Sequence, residues 1–217
     1  GGEMFWDSGN TGSATLNKNV TTYDATIKHS GNYSAKLQSQ YVALFGIGAF
    51  AAGNVFVGKF LKIDGTDGIL RFGRPFTSRP SKLVLYYRYV AGTVDYSTLS
   101  ELPKNSKDMG SIYVALGDWP HQTFEGETDI PVLVKTKPAD RQLFDSNSSN
   151  VIGYGECILK ESTEGEGLIK LEIPINYRSN RKPTDIILVG SASRYGDYFT
   201  GGEGSTLWID DFELIYE

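Results

Sequence analysis

Cysteine and histidine are nearly missing from this sequence. Cys157 is the one cysteine, and His29 and His121 are the only histidines, in 217 residues. A disulfide within the chain needs a pair, and a zinc site of thiolates and imidazoles lacks its ligands. Long apolar runs are lacking as well. The longest, from Tyr41 to Val57, is interrupted by Gly46, Gly48, Gly53 and Asn54, so no membrane-spanning segment is read in it. Positive charge is in deficit: 21 lysines and arginines against 26 acids give a net charge of -5. No basic face is left to neutralise a run of phosphates, which argues against nucleic acid as a partner. No signal peptide is read in the sequence, and Gly1-Gly2 reads as a cloning or processing scar, compatible with a leader having been removed.

What is plentiful points to strands. Twenty-five glycines, 13 tyrosines and 11 phenylalanines stand against two methionines, the composition of short strands joined by tight turns. The clearest strand has Ile169, Leu171, Ile173, Ile175 and Tyr177 alternating with Lys170, Glu172, Pro174 and Asn176, the period of a half-buried strand. Pro174 cannot donate to a ladder and marks an edge or a bulge. Further strands are expected at 20–27, 33–42, 55–63, 81–90, 111–117, 151–160, 185–191 and 206–216. Ile186 to Val189 is apolar at every position, as in a central strand covered on both faces. Pro138 to Phe144 is expected to make a short helix with Pro138 near its start. The polar segments 91–110 and 118–130 are longer than hairpins require and are where binding residues gather. Together these predict an all-β, two-sheet antiparallel sandwich. No repeat or linker divides the chain, so a single domain over 1–217 is expected.

Gly46-Ile47-Gly48-Ala49-Phe50-Ala51 fits a dinucleotide-binding pattern, but that motif must open a helix, whereas Val55 to Ile63 alternates as a strand. It is rejected. A different pattern begins with Phe5-Trp6-Asp7-Ser8-Gly9-Asn10, continues through His29-Ser30-Gly31-Asn32-Tyr33-Ser34, and closes on Leu207-Trp208-Ile209-Asp210-Asp211-Phe212. It resembles carbohydrate-binding modules of the galactose-binding, jelly-roll type. Phe72 to Pro80, Tyr86-Tyr87-Arg88-Tyr89, Ser191 to Phe199 and Gly201 to Leu207 are similar to the bacterial family called the putative carbohydrate metabolism domain. The resemblance implies a jelly roll with a sugar-binding-like pocket in secreted or surface proteins that take part in polysaccharide utilisation. Members often carry a preceding immunoglobulin-like domain, so an N-terminal partner domain is expected in the full-length protein. The galactose-binding-type modules hold calcium through an N-terminal acid and a closing-strand aspartate. Asp7 and Asp210 match those places, although the family usually has Glu where Asp7 stands. In an unbroken strand Trp208, Phe212, Leu214 and Tyr216 share a face with Asp210 in their middle, so that carboxylate is expected to be bulged out, paired or metal-bound.

Strand parity supplies candidates for a saccharide site. With Leu83, Leu85, Tyr87 and Tyr89 facing the core, Tyr86 and Arg88 face away; with Ile112, Val114 and Leu116 inside, Tyr113 turns outward. An aromatic face packs on the apolar side of a pyranose while charged and amide groups bond its hydroxyls, so a sugar site needs both types together. The loop holding Ser193, Arg194, Tyr195, Asp197 and Tyr198 concentrates them, and Trp119 in a turn is either a platform or a plug. The expected site is therefore Arg79, Tyr86, Arg88, Trp119, Ser193, Tyr195, Asp197 and Tyr198. Any of these tyrosines is equally explained as an ordinary strand residue.

Glu125, Glu127, Asp129, Glu156, Asp197 and Glu203 are the carboxylates available for catalysis, but glycoside hydrolysis needs two of them across a cleft. Neither histidine sits in a nucleophile motif. A non-catalytic glycan-binding domain, secreted, periplasmic or on the outer cell surface, is the leading expectation, with no organic cofactor. A carbohydrate-active hydrolase or lyase and a spacer sandwich are the alternatives.

Overall fold

The period-two segments become strands, and their apolar residues decide how the strands stack. The computed structural model describes residues 4–16, 18–44 and 47–216; Gly1-Gly2 and Gly46 of the rejected motif lie outside the described residues. Two antiparallel sheets form a β-sandwich. One has the order Ile169–Pro174, Lys82–Val90, Thr206–Ile215, Ser34–Gln38, Thr21–Asp24. The other runs Val132–Lys135, Asp67–Phe72, Asn54–Asp64, Asp185–Ser191, Gly110–Gly117, Val151–Leu159, Asn176–Tyr177. Trp6–Asp7 joins it beside Asn54–Asp64, and Arg74–Pro75 joins beside Asp185–Ser191. Pro174 ends an edge strand, where its missing donor costs no ladder bond.

Between the sheets, Leu83, Leu85 and Tyr89 meet Ile112, Val114, Leu116, Ile186, Leu188, Leu207 and Ile209, all essentially inaccessible. Each such side chain contributes roughly 2 kcal/mol of hydrophobic stabilisation. The expected parity of 83–90 and 111–117 holds. A second apolar layer lies on the other face of the larger sheet, where Ile187 and Val189 pack with Phe56, Leu70, Phe72, Ala115 and Val134. Both faces of Asp185–Ser191 are therefore covered, which is why Ile186 to Val189 is apolar at every position.

Three expectations are corrected. The helix expected over 138–144 shrinks to a single 3-10 turn, Pro138–Asp140, because Leu143 and Phe144 pack on the second layer. Segment 118–130 is not a plain loop: Gln122–Phe124 pairs with Glu127–Ile130. Trp208, Phe212 and Leu214 do not share a face. The register against Lys82–Val90 shifts between Asp210 and Glu213, with Asp211 at φ 52°, and this bulge exchanges the two faces. Leu207 and Ile209 point inward before it, Phe212 and Leu214 after it. Asp210 therefore stands on the outer face. Among the described residues no helix is long and apolar enough to cross a membrane.

Candidate functional site

A short helix, the hairpin of Gln40–Leu44 and Ile47–Ala51, and a 3-10 turn stand around one end of strands Asn54–Asp64 and Asp67–Phe72 and line a cavity of about 420 Å3. That volume falls in the range of roughly 300–1,000 Å3 typical of small-ligand sites. The helix, Asn10–Ser13, is pinned from both sides. Asn10 bonds the backbone N–H and carbonyl of Thr21 through its side-chain oxygen and nitrogen at 2.9 and 2.6 Å, and Asn54 Oδ1 accepts from the Gly9 N–H at 2.8 Å. Gly12 lets the helix approach closely, since a Cβ there would lie 3.3 Å from the Phe60 ring. Ser13 is thereby carried to the cavity wall, 4% exposed. Its Oγ is buried without a hydrogen-bond partner.

The opposite wall contains Asp67. The turn Asp64-Gly65-Thr66-Asp67 is possible because Gly65 adopts φ 72°, and Thr136 accepts the Gly68 N–H at 2.9 Å, holding the strand start in place. Asp67 Oδ1 is buried and has no donor. Burial, followed by the charge of Asp64, pushes its carboxyl above the usual range, with Lys137 and Arg141 opposing. Asp197 enters from the 3-10 turn Gly196–Tyr198. Gly196 allows that turn to close on the hairpin end: a Cβ there would lie 2.3 Å from Ala52 Cβ. Phe199 ends the turn in the left-handed region at φ 52° and lines the cavity. Asp197 as a residue is exposed, yet the protein packed around its carboxyl pushes it up to about 6 through desolvation, against the opposing charge of Arg141. The remaining wall is mostly apolar, with Phe60 and Leu70 prominent.

The eight residues expected from the sequence are not gathered in one place. Asp197 lines this cavity, and Tyr195 and Tyr198 stand beside it in the same turn, rings edge to face at 6.4 Å. Tyr86 and Arg88 are on the outer face of the smaller sheet. There the Tyr86 ring is stacked on His29 at 3.3 Å, and Arg88 lies 5.1 Å over Trp208, whose indole N–H donates to Asp24. Arg79 packs 4.0 Å over Tyr177 and donates to the carbonyls of Arg181 and Ser179, bracing a turn. Trp119 is a plug, 7% exposed in the second layer, over Gly117, where a Cβ would meet its ring at 2.3 Å. Ser193 is inaccessible, donating to Asp108 at 2.6 Å.

The acids weighed for catalysis are mostly neutralised: Glu125 by Lys62, Glu127 by Lys59 and Arg71, and Glu156 by Arg194. Asp7 and Asp210 belong to different sheets. Asp7 accepts backbone N–H groups of Ser8 and Phe60. Asp210 accepts those of His29, Ser30 and Asp211. Among the described residues no group of three or more His, Cys, Asp or Glu is arranged to hold a metal. Each of the two carboxylates is thus held by backbone amides on its own side of the sandwich.

Ser13, Asp67, Phe60 and Phe199 were not anticipated from the sequence. The one local signal was Asp64-Gly65-Thr66-Asp67-Gly68, an acid set between turn glycines.

Similarity to known proteins agrees with this architecture. A structure described as a putative glycoside hydrolase from Bacteroides thetaiotaomicron is 23% identical with a TM-score of 0.69, over 98% of this chain and 63% of that one. A second so described, from Bacteroides vulgatus, is 24% identical with a TM-score of 0.70, over 98% of this chain and 85% of that one. This chain thus spans under two thirds of the first of them, and at these identities the likeness establishes the fold. No curated protein matches the sequence. The family model described as "Putative carbohydrate metabolism domain" matches residues 1–215, so the chain belongs to that family and is a carbohydrate-related β-sandwich.

Proposed function

We propose that this domain binds a saccharide in the 420 Å3 cavity and does so without cleaving it. The observation that carries the reading is the pair Ser13 Oγ and Asp67 Oδ1, both buried at the cavity and both without a partner. Leaving a buried polar atom unsatisfied costs about 1–3 kcal/mol, and such a cost is recovered when a ligand supplies the missing bond. A sugar hydroxyl can donate to the carboxylate and can also bond the serine, while the ring C–H face suits Phe60 and Leu70. Membership of a carbohydrate-related family supports a saccharide over other polyols. In keeping with that ligand, the domain is proposed to act outside the cell or at its surface, where polysaccharides are met.

A specific observation favours a second reading. Asp197 is pushed up to about 6 by burial, as a general acid requires, and shares the cavity with another carboxylate, Asp67. One experiment separates the two. The purified domain is screened on a glycan array, and each bound glycan is then incubated with it and chromatographed. Binding that is weakened in Asp67→Asn, with no product released, supports the module. Product that disappears in Asp197→Asn supports the enzyme, and the absence of any bound glycan overturns both.

A further inference from the structure

The charged residues lining the cavity, among the described residues, are two acids, Asp67 and Asp197. The cations whose charge reaches these acids, Lys137 and Arg141, bond other groups directly. Lys137 bonds both oxygens of Asp64 at 3.0 and 3.1 Å. Arg141 donates to the carbonyl of Thr136 at 3.1 Å and lies 4.7 Å over the Tyr198 ring. A mostly apolar wall lowers the local dielectric, so charges inside the cavity act on one another more strongly than in water. Two acceptor-only groups, one with a buried oxygen that has no donor, require O–H or N–H groups from whatever enters. An entering carboxylate, sulfate or phosphate supplies no donor at the anionic group and adds like charge.

We infer that the cavity accepts saccharide units bearing no anionic group and excludes uronic acids and sulfated or phosphorylated sugars, with Asp67 and Asp197 as the specificity-determining residues. This rests on the cavity being the saccharide site. Ser13, 4% exposed, with its Oγ unpartnered, is an independent sign that a ligand completes the wall. It carries no charge, so it favours a sugar without discriminating among charge states. The discrimination falls to the two carboxylates.

The test uses the intact chain and two matched sets: galactose, galacturonic acid and galacturonic acid methyl ester, and the same three forms of glucose. Affinities are measured at pH 7 by titration calorimetry. Within whichever set binds, the neutral sugar is expected to bind at least tenfold more tightly than the free acid. The uncharged methyl ester should recover most of that loss despite its larger size. In Asp67→Asn and Asp197→Asn the ratio of neutral sugar to acid is expected to fall several-fold, even if affinity for both declines. Circular dichroism confirms folding of each variant, and the wild-type ester comparison stands by itself if a variant fails to fold. A free acid that binds as well as the neutral sugar overturns the inference while leaving the saccharide site standing. Exclusion of the ester together with the acid also overturns it, since size and not charge would then be responsible. Failure of every sugar, and of every glycan on the array, overturns the inference and the saccharide site together.

Discussion

The indole of Trp6 packs against the ring of Phe212 with centroids 4.8 Å apart and planes 38° from one another. The first and last strands of the chain therefore meet through an aromatic contact, beside the inter-sheet core that both residues adjoin. Backbone N–H groups also reach the carboxylates of Asp7 and Asp210, one in each of these strands.

From this contact follows a pair of expected results in thermal melts. Trp6→Ala removes a half-buried aromatic and is expected to destabilise the fold by about 2 kcal/mol, less than the full cost of a wholly buried ring. Excess chelator is expected to leave the melting temperature of the wild-type chain unchanged. A fall on chelation that calcium restores and Asp210→Ala abolishes would instead establish a calcium at Asp210.

The raised carboxyl of Asp197 makes stability depend on pH in a defined window. Its ordinary value is 3.8, and in the folded chain it is pushed up to about 6. Between those values the folded state holds more protons at this site than the unfolded state, so this residue's contribution to stability falls as pH rises. It is unfavourable in full above the folded value and negligible below 3.8. Asp197→Asn removes the dependence. The melting temperature of the variant relative to wild type is thus expected to shift in the variant's favour from acidic to neutral pH. A difference that stays constant across that range would contradict the assignment.

Ser193 tests the separation of structural from binding residues. Its hydroxyl donates to Asp108 Oδ2 at 2.6 Å and lies 2.7 Å from Ser39 Oγ, wholly inside the protein. Asp108 also accepts from Ser205 Oγ and from the N–H groups of Gly202 and Met109. Ser193→Ala deletes one bond to a charged acceptor and is expected to cost about 2 kcal/mol. Asp108→Ala leaves four donors without their acceptor and should cost more. Denaturant melts measure both. Saccharide affinity in Ser193→Ala is expected to remain within about twofold of wild type, since a 1.4 kcal/mol change would be tenfold; a larger loss would return Ser193 to the site.

By itself the sequence determined the strand-rich architecture, because side-chain alternation is a local property. Leu83, Leu85, Tyr87 and Tyr89 had to lie on one face of their strand, and Ile112, Val114 and Leu116 on one face of theirs, whatever the strands paired with. The doubly apolar run at Ile186 to Val189 likewise announced a strand with two covered faces. Parity says which residues turn from the core but not what they then meet. Tyr86 turned outward as expected, yet His29 arrives from a distant loop and stacks on its ring. One inserted residue also undoes parity without trace in the pattern, as the bulge at Asp210 and Asp211 does for the closing strand. Only the tertiary structure could decide the cavity. Ser13, Asp67 and Asp197 come from a helix, a hairpin turn and a 3-10 turn separated by most of the chain. What they share is enclosure by an apolar wall, and an oxygen is left without a donor only by the way segments remote in sequence pack around it.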